Sequence, residues 1–263
     1  MTVDMKSLLR LAKARNGEPR DDLKGVKHID SLDSDGLTQL IIGSDPKNSV
    51  YCERMELHGV SISNDFLPLN TADNIFRFLK LHSDRFIQLR GRLCLPLGGK
   101  ATLKGLVPTN DIPAWMHALM KHVHECILKN RGYPAPNHAL INVYEPGDGI
   151  MAHEDGPAYT PYATVLSVGS SCVFDFLSKD SPRRILGQVY LPVGSLLLFC
   201  EEAYTSALHE FATRTVDTLS PDVANACTVE KLGLSRLEKT CLIRGPRISI
   251  TMRHVPLAPR KSD

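Results

Sequence analysis

The sequence has 263 residues, with 31 Lys or Arg against 29 Asp or Glu, so its formal net charge is only +2. Hydrophobic residues make up 43% and charged residues 23%, which is ordinary for a globular protein and excludes a wholly disordered, collagen-like or coiled-coil chain. No apolar run approaches the roughly 18 residues that span a bilayer, so no membrane partner is expected. The balanced charge shows no footprint of a dedicated nucleic-acid binder, although a local basic groove stays compatible with it.

Residues 1–50 predict a poorly organised N-terminal extension, and residues 51–263 predict one folded domain. The opening segment MTVDMKSLLRLAKAR is basic, as mitochondrial transit peptides are, but Asp4 argues against import. Seven cysteines without a CxxC pair predict free thiols in a reducing compartment. We therefore predict a cytoplasmic or nuclear protein, with a mitochondrial location as the lesser alternative.

Helical signals come first along the chain. VSISNDF (60–66) predicts a short strand, and LNTADNIFRFLKLH (69–82) then predicts a helix capped by Asn70 or Thr71. A second helix is predicted over IPAWMHALMKHVHECILKN (112–130), opened by Asp111 and Pro113 and ended by Gly132.

After residue 137 the pattern changes to short apolar or alternating runs separated by Gly, Pro and Asp. Such runs at this spacing predict strands of a sandwich or barrel-like roll, so the fold class is α+β. The polar stretch 220–245 predicts a long loop or insertion. The predicted strands are ALINVY (139–144), ATVLSVG (163–169), CVFDFL (172–177), QVYLP (188–192), SLLLFC (195–200) and RISITMRHV (247–255).

The strongest chemical signal is the His153-x-Asp155 pair, whose side chains leave the same face of an extended segment. Taken alone, such a pair is more often part of a solvated loop. His209 follows a later apolar strand, and two imidazoles with one carboxylate on neighbouring strands make the facial triad of a non-haem Fe(II) oxygenase. Zn²⁺ could bind the same ligands, so ligand type does not decide the metal.

A second signal lies in the last predicted strand. Arg247, Ser249 and Arg253 fall on one face of RISITMR, and the apolar residues fall on the other. Buried guanidinium groups need an anionic partner, so this face is suited to a short dicarboxylate, although a strand with its polar face in water fits the same pattern. Asn142 and Tyr144 also share one face of their strand and could donate hydrogen bonds to a carboxylate.

Asn-x-Tyr, His-x-Asp, a distal His and Arg-x5-Arg, in this order, resemble the AlkB family of Fe(II)/2-oxoglutarate dioxygenases. NHALINVYEPGDGIMAHEDGPAY, with GRLCLPLGG before it and RISITMR after it, is most similar to the AlkB-homologue-six subgroup. The resemblance covers roughly residues 58–257. It implies a double-stranded β-helix (jelly roll) core flanked by N-terminal helices. A prolyl-hydroxylase-like relative would usually carry Lys where Arg247 stands.

The resemblance also implies roles for single residues. His153, Asp155 and His209 would be the catalytic ligands of Fe(II). The family's chemistry is oxidative dealkylation, in which iron, 2-oxoglutarate and O₂ hydroxylate an N-methyl carbon. The product loses formaldehyde, and succinate and CO₂ are formed; the protein positions the cofactor and excludes water.

Five further residues would bind the co-substrate. Arg247, helped by Tyr144, would pair with the distal carboxylate of 2-oxoglutarate. Asn142 would contact its metal-proximal end, and Arg253 would steady the iron-binding aspartate and the C1 carboxylate. Ser249 stands where many AlkB relatives have Asn, a longer side chain.

Substrate contacts follow from the lid that AlkB-type proteins place ahead of the core to hold an extruded base. Arg90 and Arg92 lie in LRGRLCLPLGGKATLK, which could contact phosphates. Leu97 stands where the subgroup often has Trp, which removes one stacking surface. Tyr159 and Tyr162 could line the pocket instead, or be partly exposed loop tyrosines.

The sequence thus predicts a monomeric Fe(II)/2-oxoglutarate dioxygenase that uses O₂ and acts on alkylated DNA or RNA. One alternative keeps the iron chemistry but has a protein substrate, which the modest net charge and Leu97 favour. Another is a nucleic-acid or protein binding module without turnover.

Overall fold

A computed structural model of the protein describes residues 34–44, 50–51, 55, 57–219, 223–225 and 240–257. The transit-like segment and the first two thirds of the predicted extension lie outside the described residues, as does most of the predicted 220–245 loop. Four α-helices occur in the described part: α1 (Ser34–Ile42), α2 (Leu69–Leu81), α3 (Ala114–Val123) and α4 (Glu201–Thr205). A π-helical turn (His124–Leu128) and a 3-10 turn (Lys129–Arg131) continue α3, and another 3-10 turn (Ser83–Arg85) follows α2.

Eight of the sixteen strands in the described part lie before residue 154. These are β1 (Val50–Tyr51), β2 (Val60–Ser63), β3 (Ile87–Leu89), β4 (Arg92–Leu97), β5 (Gly99–Thr102), β6 (Gly105–Pro108), β7 (His138–Tyr144) and β8 (Ile150–His153). The later strands are β9 (Tyr162–Gly169), β10 (Cys172–Leu177), β11 (Ile185–Leu191), β12 (Leu196–Cys200), β13 (Leu208–Phe211), β14 (Val216–Leu219), β15 (Thr240–Ile243) and β16 (Arg247–Arg253).

Two antiparallel sheets form the β-rich module. The larger sheet has eight strands in the order β1-β2-β12-β9-β16-β7-β4-β3, and the smaller has four in the order β11-β10-β13-β8. The pairs β5-β6 and β14-β15 form separate two-stranded ribbons. Most neighbouring strands are distant in sequence, as in a double-stranded β-helix, so the predicted jelly-roll fold class is confirmed.

The core lies between the two sheets. It joins side chains of the large sheet, such as Val165 and Leu197, to side chains of the small sheet, such as Phe176 and Val189. Strand β9 is buried along nearly its whole length, and helices α2 and α4 contact it; β16 is buried along its whole length between β9 and β7. Each fully buried aromatic or aliphatic side chain contributes about 1.5–3 kcal/mol.

Two local expectations differ from the structure. Helix α2 begins at Leu69 with Pro68 in the N-cap position and no side-chain cap; Asn70 Oδ1 only accepts a hydrogen bond from the adjacent Thr71 N–H (2.9 Å). The fixed φ of proline, here −55°, starts the helix without a polar cap. Helix α1 lies inside the N-terminal extension, which the sequence predicted to be poorly organised.

Helix α1 forms because its apolar face has a partner. Leu37 and Ile41, four residues apart, are both 0% exposed, and the helix packs against α3. Helix α3 follows Pro113 and its continuation ends at Gly132 (φ 74°), as predicted. The five described cysteines are free thiols, also as predicted.

Candidate active site

The candidate site lies where the smaller sheet meets the last strand of the larger one. In the β8-β13 pair, His153 stands directly opposite His209, and the two ring centroids are 4.3 Å apart. Asp155 follows two residues after His153, just past the end of β8, and its carboxylate lies 4.0 Å from His209 Nε2. Antiparallel pairing therefore brings together three side chains that are up to 56 residues apart in sequence.

One ligand atom from each of His153, Asp155 and His209 lies within 4.8 Å of the others. Two imidazoles and one carboxylate at such separations suit a single divalent metal ion and leave coordination positions open. His153 Nδ1 lies 2.8 Å from the Met151 carbonyl oxygen, which can only accept, so Nδ1 carries the proton and Nε2 presents a lone pair.

The protonation states also suit a metal. Burial lowers the pKa of His209 to about 3, and burial likewise lowers the pKa of His153, so both imidazoles are neutral at pH 7. Burial alone would raise the pKa of Asp155, but the Arg253 guanidinium, together with the neighbouring His209 and His153, holds that pKa below its usual value. The cluster thus consists of two neutral imidazoles and one carboxylate anion, which are the protonation states that bind a metal ion.

Arg253 holds Asp155 in place. Its Nε and Nη2 donate to the two carboxylate oxygens at 2.7 and 2.5 Å, and both side chains are about 6% exposed. The guanidinium also lies over the Tyr159 ring, 5.0 Å from its centroid. Such a bidentate pair fixes the direction of the carboxylate.

Arg247, at the other end of β16, is 2% exposed and has no carboxylate partner among the described residues. Its Nη2 donates to Ser167 Oγ at 2.8 Å, while its buried Nε has no hydrogen-bond partner. The guanidinium lies 4.7 Å from the Phe211 ring centroid and 5.7 Å from that of Tyr144. A buried cation with an unpartnered donor marks the place of an anion.

A cavity of about 280 Å³ joins the metal cluster to Arg247. All eight residues that the sequence predicted to bind the metal and the co-substrate line this cavity, so the tertiary structure brings them together. The cavity also contains two of the four predicted substrate residues, Arg92 and Tyr159. The lining side chains that carry the site are Arg92, Asn142, Tyr144, His153, Asp155, Tyr159, Phe174, Phe199, His209, Phe211, Arg247, Ser249 and Arg253.

The other two predicted substrate residues lie elsewhere. Arg90 is exposed in the turn between β3 and β4 and does not line the cavity. Tyr162 is fully buried at the start of β9, with its hydroxyl donating to the Pro134 carbonyl oxygen at 2.8 Å, so it points away from the cavity. Leu97 is 2% exposed and packs in the core of the larger sheet, where it offers no surface to a ligand.

Several residues of the site were not anticipated. Phe174 stacks on His209 (centroids 5.8 Å apart, 19° between planes), and Phe199 contacts the same imidazole at 4.7 Å. Phe211 follows His209 by two residues, so the alternation of side chains along β13 could have predicted that both lie on one face. Ser167, which holds Arg247, carried no recognisable sequence signal.

A buried ionic network lies behind the co-substrate end of the cavity. Asp217, 0% exposed, accepts hydrogen bonds from Arg244 at 2.7 Å on each oxygen and from Arg214 Nε at 2.6 Å. Arg244 also lies over the outer face of the Phe211 ring, 3.9 Å from the centroid. Arg244 falls in the stretch 220–245 that the sequence predicts to be a loop. Its buried role could not be predicted, because its partners come from distant strands.

None of the helices within the described residues is long and apolar enough to cross a membrane. Residues 101–253 match the model of the 2OG-Fe(II) oxygenase superfamily. The chain is 32% identical over 183 residues to a Danio rerio protein named "Probable RNA/DNA demethylase ALKBH6", covering 65% of this chain and 74% of that protein.

Two further similarities extend this comparison. The chain is 33% identical over 153 residues to the Mus musculus "tRNA (carboxymethyluridine(34)-5-O)-methyltransferase ALKBH8", covering 56% of this chain but only 22% of that longer protein. The solved structure of OsALKBH1 superposes with a TM-score of 0.51 at 17% identity, covering 74% of this chain and 98% of that one, and has the same fold.

Proposed function

Because the chain belongs to the 2OG-Fe(II) oxygenase superfamily, and within it to the AlkB family, we propose that it demethylates alkylated nucleic acid oxidatively. The enzyme is an Fe(II)/2-oxoglutarate-dependent dioxygenase. One observation carries the assignment of its site: a single cavity holds the His-Asp-His cluster at one end and a buried arginine with an unpartnered N–H at the other.

His153, Asp155 and His209 hold Fe(II) in this proposal. Arg253 keeps the Asp155 carboxylate ionised and aimed at the metal, and the stacked ring of Phe174 restricts rotation of the His209 imidazole. The donor set supports the choice of metal, since two imidazoles and one carboxylate with open positions are typical of Fe(II) oxygenases.

Arg247 binds the distal carboxylate of 2-oxoglutarate. Its Nε is buried without a partner, which a carboxylate oxygen would satisfy, and Ser167 holds the other side of the guanidinium. Tyr144 and Ser249 line the same end of the cavity and can each donate a hydroxyl hydrogen bond. The shorter Ser249 leaves room there that an Asn side chain would fill.

Asn142 lies between the two ends of the cavity. Its Oδ1 accepts from Arg92 Nε at 3.0 Å, which orients the amide so that Nδ2 can donate to the metal-proximal end of 2-oxoglutarate. When bound, iron and 2-oxoglutarate supply the oxygen activation that hydroxylates an N-methyl carbon, with loss of formaldehyde and release of succinate and CO₂. The chain itself binds, orients and shields the reacting groups.

Support for a nucleic-acid substrate comes from the similar proteins, both of whose names refer to RNA. Leu97 no longer favours a protein substrate, because it is a core residue and the absence of Trp there says nothing of a recognition surface. Of the two observations that favoured such a substrate, the modest net charge remains. We further propose that residues 51–263 form the oxygenase domain, with helix α1 of the preceding extension packed onto it, in a monomer of the cytoplasm or nucleus.

The first test is an anaerobic titration of the Fe(II)-loaded protein with 2-oxoglutarate, followed by the weak visible charge-transfer band of the chelate. We expect a band in the wild type and none in His209→Ala, with the fold intact by circular dichroism. A folded, iron-loaded wild type without the band would favour a binding module. The second test compares formaldehyde release from methylated oligonucleotides and methylated peptides. Release from peptides alone would replace the nucleic-acid substrate.

A further inference from the structure

Arg92 is a cation of the cavity whose charge the proposed function leaves without a partner. Its half-buried side chain lines the cavity, and its one hydrogen bond runs from Nε to Asn142 Oδ1 at 3.0 Å. No carboxylate of the described residues pairs with it. Arg253, by contrast, is neutralised by Asp155, and Arg247 faces the place of the distal carboxylate.

The charges of the loaded cavity do not cancel. Its described lining contains three guanidinium groups and one carboxylate, and its two imidazoles count as uncharged because a metal-bound imidazole is neutral. Ferrous iron adds two positive charges and 2-oxoglutarate two negative ones, so a surplus of two positive charges remains. Glu154, beside Asp155 in sequence, lies outside the lining and pairs with Lys179 at 2.8 Å.

Aromatic rings of the cavity are largely engaged by groups of the protein itself. An aromatic face can bind a cation, but arginines already lie over three of the lining rings. Arg253 lies over Tyr159, Arg247 lies 5.7 Å from the Tyr144 centroid and 4.7 Å from the Phe211 centroid, and Arg244 lies 3.9 Å from the latter. The other two rings, Phe174 and Phe199, pack against the His209 imidazole. A positively charged substrate group would thus meet no free carboxylate among the described lining residues.

Building on the proposed nucleic-acid substrate, we propose that Arg92 is a specificity-determining residue that selects uncharged alkylated bases and rejects cationic ones. 3-Methyluracil represents the accepted class and 3-methylcytosine the rejected class. Both carry the methyl group on N3, but 3-methylcytosine is a cation at neutral pH. A base inserted into the cavity brings its ring close to Arg92, so the charge of the ring decides its affinity.

The size of the effect follows from the cavity. A sphere of 280 Å³ is roughly 8 Å across, so each wall charge lies within about that distance of an inserted group. With an effective dielectric constant of about 20, one unopposed like charge at this distance weakens binding about tenfold to thirtyfold. We therefore expect the wild type to bind 3-methyluracil at least about tenfold more tightly than 3-methylcytosine.

The test measures binding without turnover. Fluorescently labelled single-stranded oligonucleotides, identical except for 3-methyluracil or 3-methylcytosine at one position, are titrated anaerobically with the Fe(II)- and 2-oxoglutarate-loaded protein. Arg92→Gln removes the charge but keeps an amide donor for Asn142, and its fold is checked by thermal denaturation. Arg90→Gln, which removes an exposed charge two residues away, is the matched control.

We expect Arg92→Gln to reduce the preference for 3-methyluracil several-fold, and Arg90→Gln to weaken both oligonucleotides equally. Equal or tighter binding of 3-methylcytosine by the wild type would overturn the charge selection. A preference that survives in Arg92→Gln would overturn the role of Arg92. If neither oligonucleotide binds although the 2-oxoglutarate band is normal, the nucleic-acid substrate itself is wrong, and this inference falls with it.

Discussion

Arg247→Lys tests the co-substrate end of the site most directly. The lysine keeps the positive charge in a position that is 2% exposed, but it replaces a planar fork with a single ammonium group. In the wild type, Ser167 holds Nη2, and the unpartnered Nε is free to donate to a carboxylate. The substitution therefore removes the Nε donor and its charge-assisted hydrogen bond to the carboxylate, while leaving the electrostatic attraction in place.

The expected loss follows from the value of such a bond. A hydrogen bond to a charged group contributes about 1.5–3 kcal/mol, which corresponds to a dissociation constant for 2-oxoglutarate that is roughly 10- to 150-fold higher. Ser167→Ala removes only the neutral partner of the guanidinium, worth about 0.5–1.5 kcal/mol, so its effect should be roughly tenfold or smaller.

The assay is the anaerobic 2-oxoglutarate titration of both variants, with thermal denaturation as the control for folding. Iron affinity should be unchanged in both, because neither residue contacts the His-Asp-His cluster. A 2-oxoglutarate dissociation constant within twofold of the wild type in a folded Arg247→Lys protein would refute the assignment. Equal losses in the two variants would mean that Arg247 acts only through its contact with Ser167.

Three other substitutions and one removal extend these tests. Phe211→Leu removes a ring over which two guanidinium groups lie. We expect the KM for 2-oxoglutarate to rise by a factor of about 3 to 10, with kcat at saturation unchanged. An unchanged KM in steady-state kinetics would contradict this. Asp217→Asn leaves two arginines without their buried counter-charge and should lower the free energy of unfolding by about 3–5 kcal/mol in urea, whereas a loss below about 1 kcal/mol would show that the network is not stabilising. Tyr162→Phe should lower stability by about 1 kcal/mol without changing kcat/KM, and a fall in kcat/KM would return this residue to the substrate pocket. Removing iron with a chelator should abolish the 2-oxoglutarate band and lower the melting temperature, both restored by Fe(II), since a ligand at 100 times its Kd stabilises the fold by about 2.7 kcal/mol.

Local alternation explains why much of the site could be predicted from the sequence. In RISITMR, side chains two residues apart must share a face, so Arg247 and Arg253 had to point the same way once the segment was a strand. The same period places His153 and Asp155 together. These relations are properties of the extended backbone, and the ordered motifs added the family resemblance that linked them to His209.

Side chains whose surroundings come from distant strands could not be placed in this way. Arg90 and Arg92 were equivalent basic residues in sequence, yet one is exposed in a turn and the other lines the cavity, because the β4-β7 pairing brings Arg92 to Asn142. Tyr159 and Tyr162 were equivalent too, and only the packing of β9 turns Tyr162 toward Pro134.

The sequence by itself determined most strands of the β-rich module, the His153-x-Asp155 pair and the two inward arginines of β16, because these depend on a two-residue period and on motifs that a single segment carries. Tertiary structure alone decided which charges are neutralised, since ion pairing and burial depend on contacts between segments far apart in the chain. It enclosed Asp217 between two arginines and left Arg92 in the cavity without a counter-ion among the described residues, whereas the pairing of Arg253 with Asp155 was already implied by the family resemblance.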